Sequence, residues 1–287
     1  MFRNLLVSAT GRPGDAAVFA TARLVAEAFG AHLEFLHVRI DTNEVLMNIT
    51  AGGFGGGDVV QAVVDRIETE ADVQAAAARA AVEAMLEAAG IAARDGPGGA
   101  APSAEFSQEQ GSESGWVSQY GRFADITVMG RGTAEDAGQA TLEAALMDTG
   151  KPLLIAPAEA PASLGRRIVI AWKDTPEAAR AVSGALAFIG RAEQVTVVTV
   201  ADDADSIDAS GMRLVRALRW HNGATRLRQV VRGDTGALEV LHRELAAASA
   251  DLLVMGGYSR SRLREVVFGG FTRSTLGAAS VPVLMAH

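Results

Sequence analysis

Short aliphatic runs recur along the chain. They are separated by stretches whose apolar positions fall three and four apart. In the second half this alternation predicts strands at 168–172, 195–200, 225–231, 251–256 and 281–286. Helices are predicted between them at 176–189, 209–221, 236–248 and 271–279. The first half follows the same plan, with strands at 4–9 and 33–38 and a long Ala-rich helix at about 60–89. It carries an excess at 41–70, which includes the glycine run at 52–57. Short strands alternating with helices mean a parallel sheet covered on both faces, and right-handed crossovers make each half a doubly wound unit. The expected fold class is α/β: two doubly wound parallel-sheet, Rossmann-like domains in tandem. The expected domains are 1–158 and 165–287, with two separate sheets side by side and a linker at 157–164 containing Pro157 and Pro161.

The two halves repeat each other. Ala124-Asp125-Ile126-Thr127-Val128-Met129-Gly130 matches Ala250-Asp251-Leu252-Leu253-Val254-Met255-Gly256. Lys151-Pro152-Leu153-Leu154-Ile155-Ala156 matches Val281-Pro282-Val283-Leu284-Met285-Ala286. The first helix of each half halts at a glycine, Gly30 and Gly190, where a left-handed cap is expected.

Composition narrows the function classes. The 287 residues are 49% apolar, ample for packed cores. There is no cysteine, which removes disulfides, thiolate metal sites and cysteine nucleophiles. The net charge of −8 gives no global case for nucleic acid or an anionic membrane as partner. The chain shows no secretory leader and no apolar run of about 18 residues, so a cytoplasmic location is expected.

In an open parallel sheet, ligands bind beyond the carboxyl ends of the strands where the order reverses. That directs attention to the loops after the first and fourth strands of each half. The loop after the fourth strand of the second half runs from Gly256 to Arg273. Its glycines leave room for backbone amides to meet an anion, and Gly269-Gly270 precedes a helix, whose N-terminal amides favour negative charge. Arg260, Arg262, Arg264 and Arg273 against Glu265 give this segment a local charge of +3. Phosphate is one ligand that suits it. Turn punctuation and a solvated helix face explain the same residues without a ligand.

This segment resembles the nucleotide loop of the universal stress protein family, which reads G-x-x-G, nine residues, then G and Ser or Thr. Gly256 and Gly269 keep the thirteen-residue spacing. Ser259 stands where the pattern has its second glycine, and Gly270 where it has the hydroxyl residue; Phe271 and Thr272 follow. The last strand, with Val281-Pro282-Val283-Leu284, is also similar, and the resemblance covers both halves. It implies a tandem member, a stress-response regulator that binds ATP with Mg, or a related adenine nucleotide, through its C-terminal half. In ATP-binding members an Asp after the first strand meets the adenine. Its counterpart in Ala171-Trp172-Lys173-Asp174 is Lys173 or Asp174, and only Asp174 would keep the carboxylate. Val200 and Met255 would flank the base, or else belong to the core. The family pairs through its last strands, a contact the two halves can satisfy as an intramolecular pseudo-dimer; a further homodimer is expected. The alternative is a protein-interaction module that has lost the nucleotide.

The first half is more degraded. Gly130 to Pro152 spans four residues fewer than Gly256 to Pro282, and the first-strand loop Ala9-Thr10-Gly11-Arg12 has no Asp. This half is expected to bind no nucleotide and to act as a scaffold. No base–nucleophile pair, Walker loop or G-x-G-x-x-G fingerprint is present, so no enzyme is expected. The five histidines show no metal-ligand spacing, and His32 and His37 fall on opposite strand faces. Asp234 is expected to cap the following helix, with a catalytic role the lesser reading. Arg213, Arg216 and Arg219 share a helix face that ends at Trp220, either a partner surface or a wet one.

Overall fold

A computed structural model describes residues 1–42, 57–94, 96, 102–131, 138–257 and 279–287. Among the described residues, eleven strands form one sheet. They are β1 (Asn4–Ser8), β2 (His32–Arg39), β3 (Ala92–Ala93), β4 (Ser103–Gln110), β5 (Ile126–Met129), β6 (Leu153–Ile155), β7 (Arg167–Ala171), β8 (Gln194–Ala201), β9 (Thr225–Val231), β10 (Leu252–Gly256) and β11 (Val283–Ala286). The helices are α1 (Asp15–Phe29), α2 (Gly57–Ala89), α3 (Glu113–Gly121), α4 (Gly138–Met147), α5 (Pro176–Gly184), α6 (Leu186–Ile189), α7 (Ser210–Leu218) and α8 (Ala237–Ala247).

The strand order is β3-β4-β2-β1-β5-β6-β11-β10-β7-β8-β9. With the two-residue β3 set aside, each half runs third, second, first, fourth, fifth, and every pairing within a half is parallel. The halves meet through β6 and β11, which pair antiparallel in the register Leu154↔Leu284. The expectation of two separate sheets is therefore corrected. Each last strand would be an open edge alone, and pairing the two satisfies both rows of backbone groups. The seam also reverses strand direction, so the carboxyl ends of the two halves lie on opposite long edges of the sheet.

The central strands are buried on both faces, and the aliphatic runs reflect this, while the outer β3, β4 and β9 are partly exposed. One face carries Leu5, Val7, Leu33, Phe35, Ile168, Ile170, Val195 and Val197 under α1, α2, α5, α6 and α7. The other carries Leu6, Leu36, Leu153, Val169, Leu253 and Met285 under α3, α4 and α8. Both apolar layers run across the seam without a break.

Local sequence sets several boundaries. Gly30 ends α1 with φ 63°, the left-handed cap expected of it. Gly190 does not take that conformation: its φ is −65°. The helix expected at 176–189 is interrupted at Ala185, which lies between α5 and α6. Asp234 does not cap α8; Gly236 holds the N-cap position, with no side-chain bond. The strand β4, Ser-Ala-Glu-Phe-Ser-Gln-Glu-Gln, has no counterpart in the sequence expectations. The glycine run and the helix expected at 271–279 fall largely outside the described residues. Among the described residues no helix is long and apolar enough to cross a membrane, and no group of three or more His, Asp or Glu could hold a metal ion.

Candidate functional site

In the C-terminal half the order reverses between β7 and β10. β7 ends at Ala171, paired with Val198 on one side and Met255 on the other. The Trp172 amide continues the ladder by donating to the Val198 carbonyl at 2.9 Å. The Trp172 indole N–H donates to Ser210 Oγ at 3.1 Å, and the Ser210 amide donates to Asp208 Oδ1 at 2.7 Å. One chain of hydrogen bonds thus ties the end of β7 to the start of α7. Lys173 and Asp174 follow, both exposed, and the Thr175 amide closes a tight turn onto the Lys173 carbonyl at 2.7 Å. The Asp174 carboxylate lies 3.8 Å from the Arg213 guanidinium on α7.

Thr175 begins α5. Its hydroxyl accepts from the Ala178 amide at 3.3 Å, and Pro176 sits at the first helical position with its φ already suited. Glu177 is buried beneath this turn. Burial alone would raise its carboxyl. Hydrogen bonds from its own amide and the Thr175 hydroxyl, with the Arg180 and His287 charges, hold it below the ordinary value instead. Gly256, the last residue of β10, lies against the same turn. A Cβ there would stand 2.6 Å from the Ala178 nitrogen. Gly257 is packed by Leu146 of α4 and by Met285; its amide donates to the Ala286 carbonyl at 2.9 Å and its own carbonyl accepts from His287 Nδ1 at 3.3 Å.

The structure therefore brings Ala171, Trp172, Lys173, Asp174 and Gly256 together at one strand-end crevice. Met255 is buried in the core beside Leu241 and Leu245, and Val200 is half-buried at the margin of that cluster. Ser259, Arg260, Arg262, Gly269, Gly270, Phe271 and Thr272 lie outside the described residues.

The N-terminal half offers an internal comparison. The pairings Asn4↔His32 and Arg167↔Gln194 place Thr10 where the other half has Lys173, and Gly11 where it has Asp174. Here the loop is filled. The buried Asp15 carboxylate accepts from the Thr10 amide at 3.2 Å, the Thr10 hydroxyl at 2.8 Å and the Gly11 amide at 2.8 Å. Gly11 has φ 75°, and a Cβ on it would collide with the Gln74 carbonyl oxygen of α2. Ser8 Oγ donates to Glu113 Oε1 at 3.4 Å, and His37 Nδ1 bonds the Ala9 carbonyl at 2.7 Å. Burial pushes the Glu113 carboxyl up, against the opposing pull of Arg12, Thr141, Ser8 and His37. After β5, the Arg131 guanidinium donates to the Ala279 carbonyl of the other half, and burial lowers its pKa.

Sequence reasoning recorded that this loop lacks an Asp and missed that Asp15, four residues past Gly11, fills it. The signal was a Thr-Gly turn followed by an Asp in the first turn of a helix.

Residues 165–287 match the family model described as "Universal stress protein family". The fold is similar over 99% of the chain to three solved structures. One is a universal stress protein from Archaeoglobus fulgidus DSM 4304, with TM-score 0.69, 17% identity and 95% of that chain covered. A putative universal stress protein from Pseudomonas aeruginosa UCBPP-PA14 gives 0.58, 14% and 92%. A functionally unknown protein from Pseudomonas aeruginosa PAO1 gives 0.56, 14% and 92%. No curated protein matches the chain in sequence.

Proposed function

We propose, from the match of residues 165–287 to the universal stress protein family model, that the chain is a non-catalytic responder. On this reading its C-terminal half takes an adenine nucleotide weakly, and its N-terminal half is a closed scaffold. Binding would act by stabilising one conformation or assembly over another, with no turnover.

One observation carries the reading: the two equivalent first-strand loops are treated oppositely. In the N-terminal half Asp15 takes the Thr10 and Gly11 amides, and the Gln74 carbonyl closes over Gly11. An anion meeting that loop would face a buried carboxylate. In the C-terminal half the equivalent Lys173 and Asp174 stand exposed beside the end of β10. Lys173 and Arg213 supply cations there, and Gly256 leads into the glycine- and arginine-bearing segment. Mg-ATP fits such a site through its phosphates.

A second reading, an interaction module without nucleotide, is favoured by the acid on the next loop. Asp202, Asp203, Asp205 and Asp208 are all exposed after β8. Hydrogen bonds from Ser206 and Ser210 hold Asp203 and Asp208 below the usual carboxylate range, so both stay charged. This charge opposes a triphosphate.

Denaturing the purified protein and assaying released nucleotide, then melting it with and without Mg-ATP, separates the two. Ligand at about 100 times Kd stabilises by roughly 2.7 kcal/mol. No carried nucleotide and no shift at saturating Mg-ATP would leave the interaction module.

A further inference from the structure

The repeat aligns Arg131 with Gly257. Each follows the Met-Gly pair at the end of the fourth strand of its half, β5 or β10. Both positions meet the other half. A Cβ on Gly257 would stand 2.9 Å from Leu146 Cδ2, so α4 of the N-terminal half lies directly on the end of β10. Arg131 reaches the opposite way. Its guanidinium donates to the Ala279 carbonyl, 148 residues further along the chain and shortly before β11. Leu142, Ala145, Leu146, Ala279 and Met285 belong to one apolar cluster, so α4 and both contacts form a single piece of packing.

The two contacts fall on the two flanks of one stretch of chain. Gly257 and Ala279 bracket residues 258–278, the glycine- and arginine-bearing segment. Leu146 seats the first flank and Arg131 holds the second. Arginine at 131 is not explained by packing alone. It is half-buried, its guanidinium gives up hydration, and burial lowers its pKa. A charge-assisted hydrogen bond to a backbone carbonyl offsets part of that loss and fixes the direction of the carbonyl. Leu146 and Met285 already supply apolar contact across the seam, so the charge has a separate task.

We propose that Arg131, from the N-terminal half, is a positioning residue for the anion site of the C-terminal half, holding the Ala279 flank while Leu146 seats the Gly257 flank. The N-terminal half is then a regulator of the site as well as its scaffold. Whatever moves α4 or the end of β5 alters nucleotide affinity, and bound nucleotide steadies both contacts in return. The proposal rests on the nucleotide reading for its ligand; the hold on the two flanks does not.

The test is the Mg-ATP affinity of the full chain by equilibrium dialysis, alongside amide hydrogen exchange without nucleotide. Arg131→Met removes the donor and is expected to raise Kd by roughly fivefold or more. Arg131→Lys can still donate to the carbonyl and should recover most of the affinity. Arg219→Met is the control, since it deletes a guanidinium bond to a backbone carbonyl, that of Thr225 at 3.3 Å, inside the C-terminal half. Its Kd should stay parental. In the exchange measurement, Arg131→Met should speed the peptides that hold Gly257 and Ala279 and leave those of β7 and β8 unchanged. A parental Kd in Arg131→Met, or an equal loss in Arg219→Met, would overturn the proposal. A parent chain that binds no Mg-ATP would sink the nucleotide reading alone. Exchange then decides, and unchanged rates at both flanks in Arg131→Met would overturn the positioning role.

Discussion

The ring of Phe188, on α6 of the C-terminal half, lies 5.1 Å from the ring of Phe2, which precedes β1 of the N-terminal half. Phe29 of α1 completes the cluster, 5.2 Å from each. Edge-on and tilted contacts of this kind add to the burial of the rings themselves. This cluster and the β6–β11 ladder make one apolar layer of both halves. Phe188→Ala is expected to cost about 3–5 kcal/mol and to lower a single cooperative unfolding transition. Calorimetry showing two transitions, only the later residues' one displaced, would refute a shared core.

Asp15 and Gly11 hold the N-terminal loop shut in different ways. Asp15→Ala leaves the Thr10 and Gly11 amides without their carboxylate and should cost about 1–3 kcal/mol. Gly11→Ala forces a Cβ onto the Gln74 carbonyl at a φ that favours glycine, so α2 must move. It should destabilise by at least about 1 kcal/mol. Urea denaturation measures both. Neither variant is expected to create a nucleotide site in this half, since α2 still covers the loop.

These two residues also show how much of the fold and the site was legible beforehand. The strands of the second half lay open in the sequence because a sheet covered on both faces demands unbroken aliphatic runs, and Arg-Ile-Val-Ile-Ala is one. The final strands announced themselves by repetition. β4 stayed hidden: it lies next to the sheet's outer strand and its Ser-Ala-Glu-Phe-Ser-Gln-Glu-Gln is half-exposed, so pairing with β2 creates it and apolar content does not. Gly190 read as a cap because glycine permits the left-handed conformation, and permission is not requirement. The joining of two sheets into one left no mark in the pattern of residues, because edge pairing is made by backbone groups; only the resemblance, through its pairing of last strands, pointed towards it. Of the site, the loops after the first and fourth strands were singled out by the strand-end rule, and Ala171–Asp174 within them by the resemblance. The plug at Asp15 was not, because its partners are amides.

Two carboxyls give the stability a pH dependence. Burial raises Glu113, and burial followed by the charge of Glu105, its direct neighbour across the β2–β4 ladder, raises Glu34. A raised carboxyl holds its proton more tightly folded than unfolded. Between the ordinary 4.5 and the raised folded value the native state therefore binds more protons, and stability falls as pH rises through that window. Each group contributes a slope of at most about 1.4 kcal/mol per pH unit. Asp203, Asp208 and Glu177 are shifted down and act below their ordinary values, with the opposite sign. Urea midpoints taken upward from pH 4.5 should fall less steeply in Glu113→Gln and in Glu34→Gln than in the parent.

Trp172 can report on the crevice directly. Its indole is hydrogen-bonded to Ser210 and its backbone lies one residue before Lys173. The chain has three tryptophans, so a Trp116→Phe, Trp220→Phe protein leaves Trp172 alone. On the nucleotide reading, Mg-ATP changes its emission saturably, and added salt weakens the effect. An unchanged spectrum at saturating Mg-ATP would favour the interaction module.

Gly256 is the position where the site and the scaffold meet most closely. A methyl group there would stand 2.6 Å from the Ala178 nitrogen and 2.9 Å from the Ala178 Cα and the Glu177 carbonyl carbon. These are backbone atoms of the first turn of α5, so no side-chain rotation relieves the overlap. β10 and α5 must separate, which overpacking measurements put at about 1–3 kcal/mol. The same displacement tilts the Thr175 turn that carries Lys173 and Asp174. Gly256→Ala is therefore expected to lower the melting temperature and also to reduce any stabilisation by Mg-ATP. Gly223→Ala is the control: a Cβ there meets nothing within 4 Å, so the melting temperature and the Mg-ATP shift should both remain at parental values. Equal losses in the two variants would show that the close approach of β10 to α5 is not what shapes the crevice.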